Sequence, residues 1–245
     1  MSRVHASKTR IYIDEFNFSG RTNKAELTID NGLPDVTAFE DAGAASVEGK
    51  YNHKLSVSGF FDPTDEGYDE QMWNVIGDGV THLLGMYPGQ QATAGSIGYE
   101  LQSLCPTQKR PLEVAGAVLL DVDWQGNDAI VRSTVLANGA VTGTGAVSGS
   151  NKETGVTVSG ETFVAILRVL SVSGTGSLTV KIQGSQNDGD PDTYADLITF
   201  TAATGITSER KTTTSATEAW KRVNISAFSG FASATILVVV GKEKI

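Results

Sequence analysis

The chain carries one cysteine, three histidines, three tryptophans and six prolines in 245 residues. With Cys105 alone, no intrachain disulfide can form, so packing and strand pairing must hold the fold. His5, His53 and His82 lie far apart in sequence, and no Cys cluster or His-Glu-x-x-His pattern accompanies them to make a zinc site. They are expected to be surface or internally satisfied side chains. A Walker-type phosphate loop and a Gly-x-Ser-x-Gly nucleophile turn are also missing. No cofactor is expected, no metal, and no enzyme class finds its signature. No apolar run approaches the roughly 20 residues that cross a bilayer. The opening Met1-Ser-Arg-Val-His-Ala-Ser-Lys-Thr-Arg10 lacks the apolar core of a signal peptide. The expectation is synthesis in the cytoplasm and no membrane partner.

Three near-misses sharpen that reading. Gly143-Thr-Gly145-Ala-Val-Ser148 lacks the third glycine and the following helix of a dinucleotide loop. Asp188-Gly-Asp-Pro-Asp192, with Asp196 beyond it, is oxygen-rich but lacks the closing Glu of an EF-type loop, and a hairpin turn is expected instead. Asp121 and Asp123 share one face of a strand, where solvation is the ordinary role and a glycosidase pair the rare one.

What the chain has is 27 glycines, much Ser, Thr and Val, and almost no 3.6-residue periodicity, which predicts an all-β protein with one short α-helix. Its net charge of −9 is uneven. Residues 1–150 hold 10 Lys and Arg against 19 Asp and Glu, whereas residues 151–245 hold nine of each. An acidic surface repels phosphate, so nucleic-acid binding through counterion release is disfavoured. It is compatible with a wall past which DNA slides without adhering.

The organising stretch runs from Lys24 to Phe61. Leu27 and Ile29 alternate with Glu26, Thr28 and Asp30, and Leu55 and Val57 alternate with Lys54, Ser56 and Ser58, which predicts two half-buried antiparallel strands. Between them Val36-Thr-Ala-Phe39 leads into a small-residue acidic arm, Glu40 to Gly49, too long for a tight turn. After Phe60-Phe61, Asp62 suits a helix N-cap, Pro63 the first helical position, and Asp65 and Glu66 the positive helix start. Tyr68, Met72, Val75 and Ile76 then form the apolar stripe of a helix closed by Gly77 or Gly79. That stripe, with Trp73 beside it, is expected to pack on the dry side of the sheet.

Further strands are expected over Val80–Pro88, Tyr99–Leu104, Val114–Trp124 and Ala129–Leu136, the last two joined as a hairpin at Gly126-Asn127-Asp128. Residues 138–160 are almost wholly Gly, Ser, Thr, Ala, Val and Asn, which fits a flexible connector or a pair of weakly packed edge strands, and are read as the linker between a domain at 1–137 and a second at 161–245. Beyond it, Glu161–Ser173, Ser177–Gln183, Tyr194–Thr201, Trp220–Ile225 and Ala232–Val240 predict a β-sandwich. Val164-Ala-Ile-Leu167 and Ile236–Val240 are apolar on both faces, as in strands covered on each side.

The succession of an N-terminal strand pair, Asp35-Val-Thr-Ala-Phe-Glu-Asp41, Lys54-Leu-Ser-Val-Ser-Gly-Phe-Phe-Asp62 and a single helix resembles the tail tube (major tail) proteins of long-tailed, non-contractile bacteriophages. Phe163-Val-Ala-Ile-Leu-Arg-Val169, Val180 to Gly189 and Leu197-Ile-Thr-Phe200 resemble the second domain of one branch of that family. The resemblance implies a structural virion protein of the viral tail, made in the host cytoplasm. It implies a tube-forming β-sandwich/barrel domain and a C-terminal β-sandwich on the tube exterior. Six copies would form a ring, and rings would stack helically into a conduit for DNA ejection. Partners implied are further copies of the chain, a tape measure protein, a tail terminator and a distal tail protein, with DNA passing unread. On that picture Phe39, Glu40, Asp41, Ala44, Ala45, Val47, Glu48 and Lys50 form the ring-to-ring arm. Glu26, Thr28, Asp30, Lys54, Ser56 and Ser58 are candidates for the lumen, and Lys24 and Lys54 for ion pairs with the next copy. The rival reading is a carbohydrate-binding or adhesin β-sandwich, with Trp124, Tyr194 or Trp220 stacking on sugars; the ordinary role of each aromatic is core packing.

Overall fold

A computed structural model of the chain describes residues 5–33, 35–37, 43, 46, 51–64, 67–112, 116–190 and 192–243. Among these residues β-structure dominates. In chain order the strands are β1 (Arg10–Ile13), β2 (Phe16–Asn17), β3 (Thr22–Asn31) and β4 (Tyr51–Phe60), followed by the helix α1 (Tyr68–Val75). Then come β5 (His82–Tyr87), β6 (Ile97–Lys109), β7 (Leu119–Gly126), β8 (Val131–Val141), β9 (Gly145–Ala146) and β10 (Lys152–Glu153). The last four are β11 (Phe163–Ser185), β12 (Ala195–Thr199), β13 (Thr207–Thr213) and β14 (Trp220–Glu243).

The chain divides into two compact units, cut differently from the 138–160 boundary that composition suggests. One gathers residues 1–19, 82–101 and 131–244, the other residues 20–81 and 102–130. The Gly/Ser/Thr-rich segment is no free connector. β8 pairs with β14 as far as Val141, and β9 and β10 pair with β14 as well. Small side chains leave a backbone free to join a ladder, and the ladder recruits it.

In the first unit β11 and β14 run antiparallel from Phe163↔Lys242 to Ser185↔Trp220. The sequence reads each of them as two strands because Ser, Gly and Thr interrupt the apolar alternation near their middles. The interruption is a bend with register shifts between Val169 and Ser171 and between Gly174 and Ser177. Gly174 and Gly230 have φ of +91° and +76° there. A Cβ on Gly176 would stand 2.0 Å from the Ser229 carbonyl oxygen, so the two backbones meet only because side chains are absent. The bend lets both halves of the ribbon feed one core. Phe163, Ala165, Leu167 and Val169 share it with Leu178, Val180, Ile182, Val223 and Ile225. The alternate residues Val164, Ile166, Leu237 and Val239 enter a second cluster with Tyr12, Tyr87, Val131 and Val135. β13, polar throughout as Thr-Ser-Glu-Arg-Lys-Thr-Thr, is invisible to apolar periodicity and is held by its ladder to β11.

Arg168 is fully buried in this unit. Its Nε donates to the Asp14 carbonyl at 2.8 Å, and its Nη2 donates to Glu100 Oε2 at 2.8 Å and to the Leu83 carbonyl at 3.3 Å. The Tyr87 hydroxyl donates to the other Glu100 oxygen. Burial and the neighbouring Glu100 carboxylate push the Tyr87 phenol well above its ordinary value. Gly85 makes room: a Cβ there would lie 3.0 Å from Glu100 Oε1.

The second unit is a four-stranded antiparallel layer in the order β3, β4, β7 and the second half of β6. The expected β7–β8 hairpin does not form: β7 pairs with β4 and β6, and β8 with β14 and β6. The Asn127 amide instead donates to the Gln102 carbonyl at 2.8 Å, so the turn turns the chain away from a hairpin.

Candidate functional site

Register decides what the second unit presents. Glu26, Thr28 and Asp30 stand opposite Ser56, Lys54 and Asn52, and Lys24 stands opposite Ser58. The rows continue into β7, where Lys54, Ser56 and Ser58 face Gln125, Asp123 and Asp121. They end on β6, where Thr107 and Lys109 face Asp123 and Asp121. Because side chains alternate with period two, every one of these residues points to the same side. The six lumen candidates therefore share one face, polar through its centre, with exposed Leu104 opposite Gln125 and the Phe60–Leu119 pair at its margins. It holds a shallow open groove of about 280 Å³ bordered by Lys24, Ser56, Ser58, Thr107, Lys109, Asp121 and Asp123, with Val57, Leu119 and Val122 also lining it.

Part of the charge on this face is paired within the chain. Lys54 Nζ lies 3.1 Å from Asp123 Oδ2, and Lys24 Nζ lies 3.5 Å from Glu26. The lysines read as partners for a neighbouring copy are thus already engaged at home. Ser56 Oγ donates to Asp123 Oδ1 at 2.7 Å, and this hydroxyl, ahead of Lys54, holds the Asp123 carboxyl below the usual carboxylate range. In all, three lysines (24, 54, 109) face four carboxylates (26, 30, 121, 123). Such a surface is well hydrated and offers phosphate no net attraction.

The opposite side of the layer is dry. Leu55, Val57, Leu120, Val122 and Trp124 are buried. α1 crosses beneath them, from β4, where a Cβ on Gly59 would lie 2.6 Å from the Tyr68 ring, to β6, where Gln108 Nε2 donates to the Met72 carbonyl. Tyr68 and Met72 are fully buried and Val75 half-buried, whereas Ile76 is 38% and Trp73 66% exposed. Trp73 therefore departs from the packing role expected of it. Asp62 departs too: the helix starts at Tyr68 with Gly67 as N-cap. The Asp62 carboxylate accepts instead from the Thr64 amide and hydroxyl and from Arg21 Nε, closing a turn ahead of the helix. Asp65 and Glu66 lie outside the described residues, and Asp69 and Glu70 supply the acidic first turn. Gly77 and Gly79, both with φ of +73°, follow the helix end.

Two further features complete the geometry. Among the described residues β3 pairs with β4 alone, so its middle residues, 23–30, form an edge of the layer. His53, expected to be exposed or satisfied, is buried with both ring nitrogens lacking a hydrogen-bond partner. Its imidazole fills the space over Gly126, where a Cβ would lie 2.1 Å from Nε2. His82 is buried against Asp14, its Nδ1 2.6 Å from the carboxylate, and His5 is exposed beside Ser7.

The arm residues Phe39, Glu40, Asp41, Ala44, Ala45, Val47, Glu48 and Lys50 lie outside the described residues. At the arm's root Asp35 bridges to Ser46. Of the aromatics read as sugar platforms, Trp124 is fully buried and Trp220 half-buried. Tyr194 is stacked under the Arg222 guanidinium at 3.9 Å and donates to Asp188. The Asp188–Asp192 loop is a turn: Asp192 accepts from Ser185 Oγ and the amides of Gln186 and Asn187. No group of three or more potential metal ligands occurs among the described residues.

The sequence showed that Asp121 and Asp123 share a face, but not that Gln125, Thr107 and Lys109 join the polar rows, because ladder partners leave no local signature. No protein-family model and no curated protein matches the chain. Solved structures with similar backbones include the virion of a native gene transfer agent particle (13% identity, TM-score 0.42, 52% of this chain and 97% of that one). A sheath/tube terminator of an extracellular contractile injection system matches with 6% identity, a TM-score of 0.42, and coverage of 53% and 97%. The Dit hub protein of phage SPP1 aligns over 96% of this chain and 99% of its own, with 10% identity and a TM-score of 0.37. Likeness at this level is too slight to bear on role.

Proposed function

We propose that this chain is a structural protein of a bacteriophage tail, assembling through its β3–β4–β7–β6 layer into six-membered rings that stack into a tube for DNA. The observation that carries the reading is the layer itself. One face is polar across the centre of β3, β4 and β7, the other is dry across β4 and β7 where α1 packs, and β3 ends the layer with β4 as its one ladder partner among the described residues. An exposed sheet edge is a hazard for a solitary molecule, and closing copies into a barrel removes it. In the closed form the polar rows of Glu26, Thr28, Asp30, Lys54, Ser56 and Ser58 line the bore. Their slight excess of negative charge lets DNA pass without counterion-driven adhesion. The arm from Phe39 to Lys50 makes the contact from ring to ring, and the C-terminal half decorates the outside. Tape measure, terminator and distal tail proteins are the partners at the bore and the tube ends.

Negative-stain microscopy of the purified protein over a range of concentrations tests this. Six-fold rings and tubes are expected at high concentration. Deleting residues 41–48 is expected to leave folded protomers and rings that no longer stack. A monomer at every concentration, alone and with tail partners, overturns the proposal.

A further inference from the structure

Trp73 stands 66% exposed and is held there by a built support. Arg110 lies over the indole at 5.5 Å from its centre. Its guanidinium is in turn fixed by Asp69 Oδ1, which accepts from Nε at 2.9 Å and Nη2 at 2.6 Å. Asp69 sits one helical turn before Trp73, so carboxylate, guanidinium and indole form a stack on one flank of α1. A preordered, solvent-exposed Trp beside an Arg is the chemistry that dominates protein–protein contacts, because the ordering entropy is lost before binding. Ile76, one turn on, and Leu112, two residues beyond Arg110, are also exposed.

The position of this patch says what covers it. α1 reaches β6 at Gln108 and Arg110, so the patch stands at the β6 side of the layer. The β3 side carries further exposed apolar side chains, Ile29 on the strand and Leu33 and Val36 in the chain that follows it. From these fractional exposures each patch offers on the order of 300–500 Å² of apolar surface, and a standard interface needs about 800 Å² per partner, a little over half of it apolar. One chain thus bears two apolar patches of matching size at opposite sides of a single layer. That is the arrangement of a head-to-tail contact, in which different surfaces of successive copies meet.

We propose that the Asp69–Arg110–Trp73 stack is the anchor of the contact between neighbouring copies of this chain, received by the Ile29–Leu33–Val36 strip of the next copy. This rests on the self-assembly proposed above and names the residues that drive it. A head-to-tail contact makes a demand that a symmetric one does not: a copy lacking the anchor still offers its strip, and a copy lacking the strip still offers its anchor.

The experiment uses the full chain in sedimentation velocity over a concentration series, with wild type, Trp73→Ala, Arg110→Lys and Leu33→Asp. Trp73→Ala is expected to raise the assembly midpoint about 30-fold or more, the loss typical of a central aromatic anchor, with an unchanged far-ultraviolet spectrum. Arg110→Lys, which keeps the charge but loses the two-pronged bond to Asp69, is expected to raise it less. Leu33→Asp alone is expected to stay monomeric. Mixing Trp73→Ala with Leu33→Asp is expected to give dimers that grow no further, since one intact anchor meets one intact strip. Wild-type assembly with Trp73→Ala at the same midpoint overturns the anchor while leaving self-assembly standing, and so does a mixture that stays monomeric. A wild type that never assembles overturns both.

Discussion

Strand 163–169 of the first unit and strand 53–59 of the second are both apolar ladders, yet they finish their second faces in opposite ways. The former is covered twice: Phe163, Ala165 and Leu167 enter one core and Val164 and Ile166 another. The latter is covered once, with Leu55 and Val57 dry while Lys54, Ser56 and Ser58 meet water. A layer covered on both faces must satisfy any charge it contains internally, and Arg168 with Glu100 shows how. A layer covered once leaves a face and an edge for use. The difference teaches that the first unit covers both faces of its layer, whereas the second leaves one face in water, and it is there that the proposed assembly would join copies.

The sharpest way to break that comparison is to remove one member of the internal pair. Glu100→Ala leaves the Arg168 guanidinium buried without its carboxylate, and losing one partner of a buried pair costs about 3–5 kcal/mol. The loss is expected as a lowered urea midpoint, with hydrogen exchange accelerating in residues 163–169 while residues 51–60 keep their protection. Equal acceleration in both stretches would show that the two units do not differ in this way. By contrast the Lys54–Asp123 pair, half in water, belongs to the class of surface pairs worth about 0–1 kcal/mol.

A second substitution probes the dry side of the open layer. Gly126→Ala drives a methyl into the His53 ring, and overpacking of this kind costs about 1–3 kcal/mol. Combining it with His53→Ala is expected to recover most of the loss, so a double-mutant cycle in denaturant reads a coupling well away from zero. Additive single effects would mean the imidazole does not occupy that space.

These pairings explain what the sequence could and could not say. Alternation alone placed Leu27, Ile29, Leu55 and Val57 on one side and their polar neighbours on the other, and runs apolar on both faces marked the doubly covered strands. Those signals are local. The polar rows contributed by Thr107, Lys109 and Gln125 depend on which strands lie side by side, and the polar strand β13 exists only because β11 offers it a ladder. Gly174, Gly176 and Gly230 were legible as glycines but not as one bend, since their meaning comes from backbones 52 or more residues apart meeting. Trp73 was misjudged for a related reason: helical spacing says which residues share a flank, not whether a neighbour such as Arg110 will hold one of them out in solvent.

The smallest expected effect turns on His53, and its sign follows from burial. Burial favours the neutral imidazole, so the folded value lies below the ordinary 6.5, with Asp128 pulling weakly the other way. As pH falls, the unfolded chain therefore takes up the proton before the folded chain does. The contribution of His53 is complete above about pH 6.5 and is lost progressively as pH falls from there toward the folded value. No partner waits for the charged ring, because both nitrogens lack one. Acidification from pH 7.5 to 5.5 is thus expected to loosen residues 51–60 first, seen as faster hydrogen exchange there than in residues 163–169. His53→Gln, which cannot take up a proton in this range, is expected to flatten the slope in that stretch alone. If the slope survives the substitution, the titrating group lies elsewhere, and the contrast between the two layers does not rest on this imidazole.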